Sequence, residues 1–221
     1  EHSDEEIAAR NGVNQAATAA LAAQQVTGLA RVLYELNHFI VYGQSLSTGS
    51  EGTPFLSTTP KYDNLMFGGA VRPTVNASVV STWTPVTGAA FNDLEATDTE
   101  TVMHGALNTF RRFDLASRGL LADADRRCVA SSAGIGGVSI AQLQNGTAPT
   151  EIYTRLVSCM DQAHTQATTD TLTYGVTAML WMQGESNQTT SKATYLAALR
   201  DIIADFRADA IAETAQPDPP V

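Results

Sequence analysis

The run His38-Phe39-Ile40-Val41-Tyr42 is apolar without alternation and stops at Gly43, the pattern of a parallel strand buried on both faces. Ahead of it, residues 1–36 are rich in Ala, Gln and Glu and place Val26, Leu29, Val32, Leu33 and Leu36 at helical spacing. That spacing predicts an N-terminal helical leader over 1–36, either a packing or linker helix or an oligomerising stalk. From Ser45 to about Thr97 the chain is full of Gly, Pro, Ser and Thr with no sustained period. A loop of that length inside a domain is usually functional, so it reads as the rim and lid of a site at the end of the first strand.

Asp98 and Thr99 are positioned to cap a helix from about Glu100 to Ser117, closed by Gly119, with Val102, Met103, Ala106, Leu107, Phe110 and Leu115 on its apolar side. Cys128-Val129-Ala130 predicts a second strand, running into Gly134-Ile135-Gly136-Gly137. A helix from about Pro149 to Gln166, a strand over Gly175 to Met182 and a helix from about Lys192 to Glu213 complete the pattern. Strands alternating with helices of this length predict an α/β fold, a parallel sheet with helices on its faces joined by right-handed crossovers. Three strands are visible before the chain reaches the proline turn at Gln216-Pro217, which reads as a domain truncated at its C-terminus.

Composition narrows the function. The 221 residues carry a formal charge of -10, with Lys61 and Lys192 the sole lysines. Nucleic-acid binding needs clustered Lys and Arg, so the charge excludes that partner and points to a neutral or cationic ligand. Cys128 and Cys159 stand far apart with no Cys/His pairing at zinc spacing; they read as buried thiols, with no metal site implied. No stretch of apolar residues is long enough for a membrane span, so the expectation is a soluble protein of open compartment. Sequons at Asn76, Asn145 and Asn187 bear on that compartment, because a glycan on Asn187 would block a site at the end of the third strand.

Three segments carry candidate chemistry, each directly after a predicted strand. Gly43-Gln44-Ser45-Leu46-Ser47 sets a serine at a strand end, where open parallel sheets bind ligands, and Gly and Ser also simply make turns. Gly134-Ile135-Gly136-Gly137-Val138-Ser139 lets backbone N–H groups approach a substrate oxygen; Ser139 breaks the dinucleotide fingerprint. Trp181-Met182-Gln183-Gly184-Glu185-Ser186-Asn187 places several hydrogen-bonding side chains at the same sheet edge.

In order and spacing these three segments resemble the sialate O-acetylesterase-like branch of the SGNH (GDSL-type) hydrolases, a group that includes carbohydrate acetylesterases, over about Phe39 to Ala212. The resemblance implies a three-layer α/β/α sandwich of flavodoxin-like kind over 37–221, no cofactor, and removal of acetyl groups from a carbohydrate. It implies Ser45 as nucleophile, the N–H groups of Ser45 and of Gly136 or Gly137 as oxyanion donors, and Gln183 in place of the family's Asn donor. Glu185 matches a position that holds the loop through neighbouring N–H groups, Asn187 stands where the family more often has Asp, and Gln44 falls among the substrate-binding or structural positions.

The family's Asp-x-x-His segment is missing after the third strand. Asp161-Gln162-Ala163-His164 has the letters but precedes that strand, in a helix that leads away from the site. His38, at the start of the first strand, reads as a capping or surface residue at the opposite edge. His104, in the first turns of a helix after the long loop, is the one histidine that could face the site, or else a core or helix-surface residue. The expectation is therefore an O-acetylesterase whose Asp and His come from a further polypeptide segment. Its alternative is a carbohydrate-binding or structural module, such as part of a virion or surface fibre, that keeps the fold without the triad.

Overall fold

The computed structural model describes residues 32–49, 51–68, 70–72, 90–97, 99–147 and 151–216. The leader expected over 1–36 lies outside the described residues up to 31; residues 32–35 are not helical, and Leu36 already belongs to the first strand. In chain order the elements are β1 (Leu36–Gly43), β2 (Leu65–Phe67), β3 (Phe91–Asp93), α1 (Val102–Ser117), β4 (Arg127–Ser132), the one-turn α2 (Ile140–Leu143), α3 (Glu151–Thr169), β5 (Tyr174–Met182) and α4 (Lys192–Thr214). The strands form one sheet in the order β3-β2-β4-β1-β5. β1 pairs in parallel with β4 and β5, β2 in parallel with β4, and β3 antiparallel with β2. The expected α/β fold is thus present, with two corrections: the segment expected as one long loop contributes β2 and β3, and the sheet is mixed at that edge.

The faces of the sheet follow from the strand period. Leu36, Ile40 and Tyr42 point to one side and pack with Ile152, Leu156 and Met160 of α3 and Ile202 and Phe206 of α4. Phe39 and Val41 point to the other and pack with Met103 and Leu107 of α1. β5 obeys the same rule only by means of a bulge. Its pairing with β1 jumps from Val176 opposite His38 to Ala178 opposite Phe39, so the even positions Tyr174 and Val176 and then the odd position Met179 all reach the α3/α4 side.

Helix ends are set locally. Thr101 caps α1, its hydroxyl accepting from Met103 N–H at 3.2 Å, while Thr101 N–H donates to His104 Nδ1 at 3.1 Å. Gly119, at φ 67°, lets Leu120 N–H reach back to the Leu115 carbonyl at 2.9 Å. Ser191 caps α4 by accepting from Thr194 N–H at 3.1 Å. On the outer edge of β5 the Gln216 side chain takes the place of a neighbouring strand: its Oε1 accepts from Val176 N–H at 2.6 Å and its Nε2 donates to the Val176 carbonyl at 2.7 Å. Cys128 and Cys159 are free thiols buried in the two layers, and burial pushes both up to about 12. Among the described residues no helix is long and apolar enough to cross a membrane.

His38 is not the surface residue its place in the sequence suggests. It is fully buried, with Nδ1 at 2.8 Å from Tyr174 Oη and Nε2 at 2.7 Å from Ser131 Oγ, and the Phe67 ring stands edge-on to it. β1 begins two residues earlier than the apolar run, which carries His38 into the middle of the sheet. Burial pushes its pKa down to about 3 from the ordinary 6.5. Between those values the unfolded chain takes up a proton that the folded chain refuses, so stability is full above pH 6.5 and declines toward pH 3. The expected contribution is up to about 1.4 kcal/mol per pH unit. Urea melts across that range should show His38→Gln flattening the decline; an unchanged pH slope would contradict this account.

Candidate active site

The ends of β1, β4 and β5 lie side by side, and the segments that leave them fold into one cluster. At the end of β1 the chain approaches β5 so closely that a Cβ on Gly43 would sit 1.9 Å from the Met182 carbonyl oxygen. Gln44 N–H donates to that same carbonyl at 3.0 Å. The chain then turns through a 3₁₀ turn, Ser45–Thr48, in which Ser47 N–H returns to the Gln44 carbonyl at 2.8 Å and Gly49, at φ 75°, closes the turn. Ser132 Oγ, at the end of β4, holds the turn from below by donating to the Ser47 carbonyl at 2.8 Å.

The loop after β4 is tied to the same strand end. Ala133 N–H donates to the Val41 carbonyl at 3.0 Å and Ile135 N–H to the Gly43 carbonyl at 3.2 Å, prolonging the β1–β4 pairing past the last sheet residue. Gly134 packs against Ser47, and its carbonyl accepts from Nη1 of buried Arg155 at 3.4 Å. Half-buried Gly136 and exposed Gly137 form the crown of the loop, with open space where their Cβ atoms would stand.

The polar side chains converge as a chain of amides. Gln183 Nε2 donates to Asn187 Oδ1, to Gln44 Oε1 at 3.2 Å and, at the long limit of 3.4 Å, to the Val138 carbonyl. Gln44 Oε1 also accepts from Ser186 N–H at 3.1 Å, and Gln44 Nε2 faces Ser45 Oγ at 3.4 Å. Asn187 Oδ1 accepts in addition from Ile140 N–H at 2.8 Å, and Asn187 Nδ2 donates to Thr190 Oγ1 at 2.9 Å. Tyr195 on α4 supports the base of the loop, donating to the Gln183 carbonyl at 2.8 Å and accepting from Trp181 Nε1 at 3.0 Å.

Of the residues singled out from the sequence, Ser45, Gln44, Gln183 and Asn187 are linked in this network, and Val138 joins it to the glycine loop that carries Gly136 and Gly137. Glu185 is exposed at the start of a 3₁₀ turn; the bonds that tie its loop down come instead from Gln44, Asn187 and Tyr195. Asn187, bound on both its amide oxygen and nitrogen, has its side chain turned into the network rather than outward as a glycan would require. The part played by Gln44 at the junction was not separable in the sequence from that of any polar residue near a strand end.

The described histidines are committed elsewhere. His38 lies in the core, and His164 pairs with Glu213 at 2.7 Å and stacks on Tyr174. His104 is fully buried; its Nδ1 contacts are all within the Thr101 cap, and its Nε2 has no hydrogen-bond partner. It does not bond Ser45. Its neighbour Glu100 ties the rim to the start of α1, accepting from Leu56 N–H and from Ser57 Oγ at 2.7 Å. Burial pushes the Glu100 carboxyl up, but the hydrogen bonds from Ser57 and Leu56 outweigh it and hold its pKa below the ordinary value. Among the described residues no three His, Cys, Asp or Glu side chains come together as a metal site requires.

Comparison with known proteins bears on the same region. Residues 122–215 match the model of a family described as carbohydrate esterase, sialic acid-specific acetylesterase, which takes in Gly136, Gly137 and Gln183 and leaves Gln44 and Ser45 outside. Over that stretch the chain is similar to carbohydrate esterases. Two solved structures are similar at low identity. A protein of Arabidopsis thaliana shares 14% identity at a TM-score of 0.47, covering 78% of this chain and 68% of that one. A carbohydrate acetylesterase of Xanthomonas citri shares 16% identity at a TM-score of 0.46, covering 78% of this chain and 38% of that one. No curated protein matches the chain.

The meeting of β1 and β5 is open to a direct check. Gly43→Ala would drive a Cβ into the Met182 carbonyl, a backbone atom that cannot turn aside, and should destabilise the fold by about 3 kcal/mol or more in urea melts. Gly136→Ala, which meets nothing within 4 Å, should cost less than about 1 kcal/mol. Equal effects of the two would show that the strand ends do not meet as described.

Proposed function

We propose that this chain is a serine esterase that removes O-acetyl groups from a carbohydrate. The observation that supports the reading is the meeting of three strand ends in one cluster, in which Ser45 Oγ is joined through Gln44 to Gln183 and the glycine loop of β4 is tied to the end of β1. The similarity of residues 122–215 to carbohydrate esterases supports the substrate class.

In this reading Ser45 Oγ attacks the acetyl carbonyl carbon and gives its proton to a base. The bond from acetyl carbon to sugar oxygen then breaks, the sugar oxygen takes the proton, and water attacks the acetyl-Ser45 ester to release acetate. The N–H groups of Ser45 and of Gly136 or Gly137 hold the oxyanion. Gln183 Nε2 faces three acceptors with two hydrogens, so it can exchange one of them for the substrate oxygen. No hydrogen bond joins His38, His104 or His164 to Ser45, so in this reading the base belongs to a polypeptide segment other than the described residues.

That no described histidine bonds Ser45 favours a second reading, a carbohydrate-binding or structural module on the same fold. A fluorophosphonate probe, applied with the segment that carries the base present, separates the two, since it labels only an activated serine. The esterase reading expects Ser45 to be labelled and p-nitrophenyl acetate hydrolysis to vanish in Ser45→Ala. It also expects Gln183→Ala to lower kcat by about 10²-fold with KM little changed. An unlabelled Ser45 together with binding of acetylated glycans would establish the module instead.

A further inference from the structure

We propose that Gln44 is the positioning residue that sets the direction of the Ser45 hydroxyl and stabilises its oxygen as the proton leaves; this rests on the esterase reading. Gln44 is 2% exposed, and its backbone is pinned at both ends, its N–H by the Met182 carbonyl and its carbonyl by Ser47 N–H. The side chain is therefore confined, and what matters is which end of its amide faces the serine.

The backbone decides that question. Ser186 N–H, 3.1 Å from the Gln44 amide, can only donate, so the atom it meets is the oxygen. Ile140 N–H fixes the Asn187 oxygen in the same way, and Gln183, placed between the oxygens of Asn187 and Gln44, must present its NH2 to both. With its oxygen held by Ser186, Gln44 has only its NH2 left for Ser45 Oγ. An amide NH2 accepts nothing, so Ser45 accepts here and its own hydrogen points away from Gln44. A reversed amide would take that hydrogen for itself and hold it from the base. Separated from its proton, Oγ becomes a stronger acceptor, and the 3.4 Å contact tightens as charge develops. The arrangement does not depend on Gln183. If Gln183 turns a hydrogen to the substrate, Ser186 N–H still holds Gln44.

Gln44→Glu keeps an oxygen for Ser186 N–H and Gln183 and replaces only the donor that faces Ser45 with a carboxylate oxygen. Labelling of Ser45 by a fluorophosphonate and turnover of p-nitrophenyl acetate are measured across pH for the full chain, alongside melting curves. At neutral pH and above, the expected result is a fall of about 10²-fold in both rates with KM within about threefold. The ratio of variant to unsubstituted rate should then rise as pH falls through the carboxyl range, because a protonated Glu donates again. Gln44→Met should lose rate with no such recovery, and it carries the test alone if the Glu variant melts below the assay temperature. Variants that melt like the unsubstituted chain and are labelled at its rate overturn the proposal and leave the esterase reading standing. So does a loss of rate with a pH-independent ratio for Gln44→Glu, which would make Gln44 merely structural. Failure of the unsubstituted protein to label with the base-bearing segment present overturns the esterase reading, and this proposal with it.

Discussion

The site depends on one point of contact, where the Met182 carbonyl of β5 occupies the space a side chain at residue 43 would need. Because β1 and β5 touch there, their last residues are level, and Gln44 and Gln183 leave the sheet from the same height. A stagger of one residue would separate them by about 3.3 Å along the strand. The 3.2 Å contact between Gln183 Nε2 and Gln44 Oε1 would then require both side chains to leave their present rotamers. Glycine at 43 is thus a condition of the whole amide chain, although it contributes no atom to it.

Above that contact, order is imposed by groups that cannot change character. Side-chain amides can be turned end for end, but Ser186 and Ile140 offer backbone N–H groups, which only donate. They fix the sense of every amide between them. Such a network is costly when half satisfied, since a buried amide group without a partner loses the water bonds it would otherwise make. Here both Ile140 and Ser186, in the loops after β4 and β5, are fastened to the network by backbone N–H bonds, while Gln183 Oε1 is left without a partner among the described residues.

The architecture was legible in the sequence where elements are long and strongly patterned: β1, β5, α1 and α4 fall within a few residues of their expected places. β2 and β3 were not, because three residues are too few to display a period and β3 is partly exposed besides. His38 was misjudged because its partners Ser131 and Tyr174 lie on other strands and leave no local mark. The site shows the same division. Which segments meet could be read from three strand ends, since a parallel sheet delivers them to one edge. Which atom faces which could not, because Ser186 and Ile140 act through their backbones and any residue type there but proline would donate as well.

The two cysteines have a practical consequence. The chain contains no others, and both are buried with their thiols held protonated, so maleimides and spin labels have no native group to attack in the folded protein. Leu46 beside the serine and Leu56 on the rim are both exposed. A cysteine placed at either would be a unique attachment point for a fluorophore or nitroxide, turning movements of the rim into an optical or magnetic signal without prior removal of native thiols.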